Sequence, residues 1–322
     1  MAAGPYALEP PVPDRRASTT GLLLILWASL CFGFSGPLAK TIINAGIGPV
    51  PVTWLRVVGS GIALALVALP VLLRRPKLPW SGLVAFGLAA VAGVQVFYFL
   101  AVSRLPVGIA LLLEFTGPIL VVAWIRFVRR TRLPRSAVLG TLVSLAGLAV
   151  VVEVWSGLRL DALGLLAGAA AALCQAVYFV GGEKLTESVD TRVLLASGFL
   201  IGGAGLTPFA RPWDVDWSLL GTQVSLGGFE VSAAVVAVAL VGSTVLAYLA
   251  GIAGLKLLSA AVAGGMAYLE VVVATLAAWL LLGEALSTAQ IIGGVIVLGG
   301  VFIAQRAVGA RQEVDLALVE KA

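Results

Sequence analysis

The sequence predicts an all-α integral membrane protein: ten transmembrane helices arranged as two inverted five-helix repeats, with both termini in the cytoplasm. Composition is the first ground. Hydrophobic residues fill 60% of the 322 positions and charged residues 11%, against roughly 45–50% and 25% in soluble domains, so a water-soluble core could not hide the apolar surface. The second is the recurrence of about ten apolar stretches of roughly 18 to 25 residues, each long enough to cross about 30 Å of hydrocarbon as a helix. The third is an internal duplication. The period-2 alternation of a membrane barrel is absent, and a lipid-embedded backbone must satisfy its own polar groups, which leaves helices.

Residues 1–20 (MAAGPYALEPPVPDRRASTT) are Pro-rich and lack an apolar run, so a disordered cytoplasmic tail is expected there. The first span, 21–43, follows Arg15 and Arg16. It is too long for an ordinary signal-peptide core and has no A-x-A exit, so it is expected to remain as an anchor. Spans two to five are placed at 52–73, 80–103, 107–128 and 136–154, the second closed by Arg74, Arg75 and Lys77 and the fourth by the basic run Arg126 to Arg135. Spans six to ten are placed at 162–182, 191–210, 231–255, 260–282 and 288–305, and residues 306–322 form a second cytoplasmic tail.

Orientation follows from the 21 Lys and Arg residues. With the amino terminus inside, cytoplasmic segments hold Arg15, Arg16, Arg74, Arg75, Lys77, Arg126, Arg129, Arg130, Arg132, Arg135, Lys184, Arg192, Lys256, Arg306, Arg311 and Lys321, whereas outside segments hold only Arg104, Arg159 and Arg211. That asymmetry puts both termini in the cytoplasm. The net charge of +5 is thus a topology signal, and no basic stripe with aromatics suggests nucleic acid. Cys31 and Cys174 lie mid-span, as small buried hydrophobes would.

An offset of 143 pairs Gly21, Leu22, Ala28, Leu30 and Cys31 with Gly164, Leu165, Ala171, Leu173 and Cys174. An offset of 153 pairs Gly140, Leu145 and Gly147 with Gly293, Leu298 and Gly300, and sets Pro118 against Val271. Span one therefore matches span six, and spans four and five match nine and ten. Five spans per half is an odd number, so similar halves enter the bilayer in opposite directions. Carriers built this way bind substrate near the midplane between the repeats, beside helices broken by Gly or Pro.

The stretch PVGIALLLEFTGPILVV, Pro106 to Val122, closely resembles the fourth span of bacterial exporters of the EamA family in the drug/metabolite transporter superfamily, particularly the threonine/homoserine exporter group. AYLEVVVATLAAWLLLGEALSTAQIIGGVIVLGG, Ala267 to Gly300, is similar to the end of an EamA repeat. The resemblance spans residues 21–305. It implies a secondary transporter in the bacterial inner membrane that exports small amphipathic metabolites, amino acids such as threonine or homoserine first among them. Drug or other metabolite efflux and import on the same fold are the alternatives. The family often has Glu-Pro in span nine, where this chain reads Glu270-Val271.

A charge at the bilayer centre costs about 2.5–3.5 kcal/mol on insertion scales, so charged residues there face protein or a wet cavity. Glu114 lies about two turns into span four, Arg56 about one turn into span two, and Lys40 about one turn before span one ends, all in the outer third of the membrane. One reading is an ion pair that only fixes packing. The other is a substrate site in which Glu114 takes an ammonium group and Arg56 or Lys40 a carboxylate, the protein's own charges pairing when it is empty. Gly117 and Pro118 break the helix beside Glu114, since Pro removes a backbone donor and frees the carbonyl one turn earlier. Glu270, the deepest acid of the second half, and Glu114 are the two carboxylates positioned to carry a proton in a chain without histidine. Gln95, Tyr98, Gln175, Tyr178, Ser243, Thr244 and Tyr248 are candidate cavity polars, or helix-to-helix hydrogen-bonding groups. The pairs Gly164/Gly168 and Gly198/Gly202 suggest close-packing faces, within one chain or between two in a homodimer. Trp80 and Trp217 suggest interface anchors.

The absence of histidine removes an H-E-x-x-H site and a Ser-His base, and no G-x-S-x-G or phosphate-binding loop is present. An enzyme, a channel or a self-contained ATP-driven pump is not expected. The expected partners are a small-molecule substrate and the lipid bilayer, with no metal and no cofactor.

Overall fold

The computed structural model describes residues 15–74, 78–128, 134–151, 160–186, 188–255 and 269–319. Helices α1 (Arg15–Asn44) and α2 (Pro49–Leu72) are joined by a turn in which Gly46 takes a φ of 104°. The third apolar stretch is continuous but not uniform: α3 (Trp80–Ala85) runs through a π-helical segment (Phe86–Ala92) into α4 (Gly93–Val102). Helices α5 (Val107–Glu114) and α6 (Gly117–Phe127) share the fourth, and α7 (Arg135–Val151) follows. The second half holds α8 (Ala162–Thr186), α9 (Thr191–Ala210), α10 (Ala233–Leu255), α11 (Leu269–Leu282) and α12 (Thr288–Val319).

Among the described residues, seven helical stretches are long and apolar enough to cross a membrane, and three shorter apolar helices occupy Val138–Val151, Leu269–Leu282 and Thr288–Ala304. Large apolar side chains such as Leu66, Leu139, Val238 and Leu280 point outward with no protein to cover them, which suits lipid and not water. The chain is a multi-pass membrane protein.

Two expectations need amendment, and the start of one further element falls outside the described residues. Helix α1 begins at Arg15, so residues 15–20 are helical where a disordered tail was expected. Pro13 is the last helix breaker before the Ala-Ser-Thr-Thr run, which tolerates helix. The expected span nine began at 260, but residues 256–268 lie outside the described ones and α11 is described from Leu269. The all-helical expectation omitted a small β-hairpin before α10. Strands Gln223–Leu226 and Phe229–Ser232 pair antiparallel, with Leu226 opposite Phe229. Gly227 and Gly228, at φ 61° and 86°, supply the two positive-φ positions that a two-residue hairpin turn demands. A short 3-10 helix, Trp217–Gly221, precedes the hairpin.

Helix contacts come in reciprocal sets. Helix α1 packs on α10 and α11, while α8 packs on α4 and on α5 and α6. Helix α2 packs on α10, and α9 on the π-helical segment. Helices α2 and α9 pack on each other, as do α7 and α12. The α7–α12 seam is antiparallel and built on glycine. A Cβ on Gly140 would stand 2.6 Å from the Gly300 carbonyl oxygen, and one on Gly300 equally close to the Gly140 oxygen. Gly147 and Gly293 repeat the arrangement at 2.9 and 2.8 Å. Ser144 lies between them and donates its hydroxyl to the Val297 carbonyl at 3.1 Å. Small residues let the two backbones touch, which is where packing energy comes from when lipid is as apolar as leucine.

Because backbone, not a flexible side chain, fills the space opposite Gly147, Gly147→Leu is expected to cost about 1–3 kcal/mol through overpacking. It should lower the melting temperature in detergent size-exclusion assays. Gly299→Ala, where a Cβ meets nothing within 4 Å, should melt like the parent.

Candidate functional site: a buried acid and arginine cluster

The fourth apolar stretch breaks where its carboxylate stands. Helix α5 ends at Glu114, Phe115 and Thr116 leave the regular pattern, and α6 starts at Gly117 with Pro118 in its first turn. Pro118 has no N–H, and its ring excludes a straight helix through the preceding turn. The amide of Thr116 donates to Leu113 at 3.0 Å, its hydroxyl donates to the same carbonyl at 2.6 Å, and Ile119 N–H donates to Thr116 at 2.9 Å. Gly117 lies hard against α8: a Cβ there would meet the Ala172 carbonyl and the Gln175 stem at 3.0 Å. The break is therefore seated on the second half of the chain.

Glu114 lies seven residues after Val107, the first residue of α5, and Arg56 seven residues after Pro49, the first of α2. Each is about 10 Å along its helix, so the two share a depth. Arg56 is 3% exposed and Glu114 8%. The Arg56 Nε donates to the Thr244 hydroxyl of α10 at 2.8 Å, and its guanidinium carbon stands 5.1 Å from the Phe99 ring centre. Thr244 is fixed in turn by donating to Leu240 at 2.8 Å. Glu114, Glu270, Tyr98 and Tyr248 all lie within electrostatic reach of Arg56, and Cys174 within that of Glu114.

Among the described residues no cation comes within 4.0 Å of either Glu114 or Glu270. Of buried side-chain polar atoms among them, only the Ser60 hydroxyl is both sealed and without a hydrogen bond. The carboxylate oxygens and the outer guanidinium nitrogens, which carry no bond, must then open onto space that a water molecule can touch. Aromatic rings wall this region. Tyr248 meets Phe32 edge-on at 4.9 Å and Phe199 at 5.1 Å, and Tyr178 lies 5.2 Å from Phe86.

Sequence reasoning expected Glu114 to pair with Arg56 or Lys40. Arg56 does face Glu114 electrostatically, but Lys40 is engaged elsewhere: it pairs with Glu284 and donates to the Leu105 carbonyl at 2.7 Å. Lys40 meets the turn into α5, about 10 Å above Glu114 along that helix. Gln95 is buried on α4, and Gln175, Tyr178 and Tyr248 are half-buried. Gly164 and Gly168 seat α8 against Leu105 and Leu113, and Gly202 lies on the Gly87 backbone, which are the close contacts expected of them. Trp217 packs 6.3 Å from Trp54 and donates to the Pro212 carbonyl. The residues not anticipated are Phe99, Ser60 and Glu284. Ser60 stands one turn after Arg56 on the same face of α2, a signal available in the sequence. A separate apolar groove of about 290 Å³ between α5, α11 and α12, reaching Val151 of α7, holds none of these charges.

Replacing Thr244 by Val should remove one bond from a buried arginine at a cost of about 1.5–3 kcal/mol, the range for hydrogen bonds to charged groups. Thr244→Ser should keep it. Thermal melting in detergent distinguishes the two.

Comparison with known proteins bears on the whole chain. The family model described as the EamA-like transporter family matches residues 19–153 and again 162–305. The uncharacterized inner membrane transporter YicL of Salmonella typhimurium is 24% identical over 213 residues, which cover 63% of this chain and 71% of that protein. A protein crystal structure is similar at a TM-score of 0.58 and 24% identity, covering 90% of this chain and 97% of the other, a likeness of fold.

Proposed function

The chain belongs to the EamA-like transporter family, and we propose that it is a secondary carrier that exports small amphipathic metabolites across a bacterial inner membrane by alternating access. Amino acids such as threonine or homoserine are the substrates proposed first. The proposed architecture is ten membrane helices in two inverted five-helix repeats, with both termini in the cytoplasm. The reciprocal contacts of α7 with α12 support the repeats, because Gly140 touches Gly300 and Gly147 touches Gly293 while the sequence offset pairs them the other way round. Contacts of that kind arise when a two-fold axis relates the partners.

The observation that carries the site is the placing of Arg56 and Glu114 at one depth, both buried and both open to a water-sized space. Glu114 receives the substrate ammonium and Arg56 its carboxylate. The broken span adds the negative end of α5 and the positive end of α6 within one turn of Glu114, the pairing that half-helices offer to charged ligands. Tyr98, Tyr248 and Tyr178 form the wall, and Gln95 and Gln175 supply neutral hydrogen bonds. Two carboxylates stand against one arginine among the described residues, so a zwitterion leaves one negative charge unbalanced. A proton on Glu270 balances it, and this couples export to the proton gradient.

The test is uptake of labelled amino acids into inside-out vesicles. Glu114→Gln and Arg56→Gln are each expected to lower uptake by about tenfold or more, the cost of leaving one buried charge without its counterpart. Parent-like rates in both variants would refute the site. In liposomes containing purified protein, Glu270→Gln should remove the response to an imposed pH gradient and leave downhill exchange in place. Protein-free liposomes set the leak, and transport by the parent that ignores the gradient would refute coupling.

A further inference from the structure

The cluster around Lys40 draws three pieces of chain together at one end of the bundle. Lys40, four residues before the end of α1, pairs with Glu284 and donates to the Leu105 carbonyl at 2.7 Å. Glu284 in turn accepts the amide of Val107 at 2.9 Å. The end of α1 and the turn into α5 belong to the first matched segment, 19–153, and the turn after α11 to the second, 162–305.

Local rules put each group in place. Val107 opens α5, so its amide has no partner within the helix and needs an acceptor from elsewhere. Gly283 ends α11 at a φ of 69°, a conformation that glycine adopts without strain, and Glu284 follows directly. Gly36, one turn before Lys40, lies so close to the Tyr98 hydroxyl and the Val107 side chain that a Cβ there would collide with both. The Lys40 and Glu284 side chains are 14% and 17% exposed, so the pair is far less screened than one on the surface.

The cluster also adjoins the water-sized space at Arg56 and Glu114, the chamber of the proposed carrier. Tyr98 lies within electrostatic reach of Glu284 and also of Glu114, Glu270 and Arg56, so it is the residue that adjoins both layers. Beside it the hairpin is pinned to the same end, the Gly227 amide donating to the Leu281 carbonyl at 3.1 Å.

We propose that Lys40 and Glu284 form the latch of the extracellular gate: joined, they hold the two halves together above the chamber, and the carrier opens to the outside only when they part. The inference rests on the alternating-access reading above. The backbone fixes the polarity of the latch. The Leu105 carbonyl accepts only from a cation or other donor, and the Val107 amide donates only to an acceptor, so exchanging the two charges does not rebuild it.

The test is one-sided thiol labelling in the full-length chain. Cys31→Ala removes one native thiol and leaves Cys174, half-buried and within electrostatic reach of Glu114, as the reporter. A membrane-impermeant methanethiosulfonate cation is added to right-side-out and, separately, inside-out vesicles without substrate. Lys40→Met and Glu284→Gln are each expected to raise the labelling rate in right-side-out vesicles by about tenfold, a modest population shift. Lys40→Arg, which keeps both donations, should stay near the parent rate, and the exchanged pair Lys40→Glu with Glu284→Lys should stay fast. Labelling unchanged in both single variants, or raised only in inside-out vesicles, would overturn the latch. Glu284→Gln keeps the experiment decisive if Lys40→Met does not fold. Labelling is read without transport, so a failure of the amino-acid reading leaves the latch result standing.

Discussion

A guanidinium at hydrocarbon depth must find its partners inside the protein, and most of the arrangement around it follows from that need. Arg56 reaches α10 through Thr244 and α4 through Phe99, so one side chain on α2 ties three helices. Electrostatics then selects the acids: Glu114 from α5 and Glu270 from α11 lie within its reach, while the cationic Lys40 is held apart on Glu284. Had Lys40 reached Glu114, the two charges would have neutralised one another and the layer would hold a closed pair. Its separate anchorage leaves the carboxylate layer with an excess of negative charge among the described residues, which is a chemical demand for a cation or a proton.

The seam between α7 and α12 serves the opposite requirement. Backbones brought into contact at four glycines, with Ser144 bonded across, form an interface with no room for side-chain rearrangement. The α5–α6 span and the long apolar stretch interrupted by the π-helical segment Phe86–Ala92 are by contrast irregular. Irregular backbone at membrane depth is tolerated where neighbouring protein satisfies it or where it lines a cavity, and π-helical turns cluster at functional positions. Rigid contact on one side and broken helices on the other would give the proposed alternating access a part that holds and a part that shifts.

Much of this was legible in the chain. The expected span 191–210 coincides with α9, and the starts at 162 and 288 and the end at 282 coincide with α8, α12 and α11, because long apolar runs bounded by charge or glycine are local signals. The break near Pro118 was legible for the same reason, though the irregular residues are Phe115 and Thr116, one step ahead of the proline that causes them. The partner of Lys40 was not legible. Glu284 lies far away in sequence, just past a span end, and only the packing of α1 against α5 and α11 brings it near. Nor was the hairpin, whose Gly-Gly turn sits in a short, largely polar stretch between two apolar runs.

The two acids near Arg56 are not symmetry mates. The offset of 153 that sets Gly140 against Gly293 sets Glu270 against Gly117, and Glu114 against Ala267. Each half therefore contributes its carboxylate from a different register, one at the end of a broken helix and the other within an apolar run that continues into Val271 without a proline. A duplicated scaffold with strictly equivalent acids would present the same group to both sides of its axis and would give a substrate and a proton the same binding choice. Displacing the acids by one turn puts Glu114 where, in the proposed carrier, helix ends and Arg56 orient the ligand, while Glu270 stays within reach of the same arginine. In the proposed carrier, asymmetry within a near-symmetric frame is what would let one cluster hold a substrate and a proton at once.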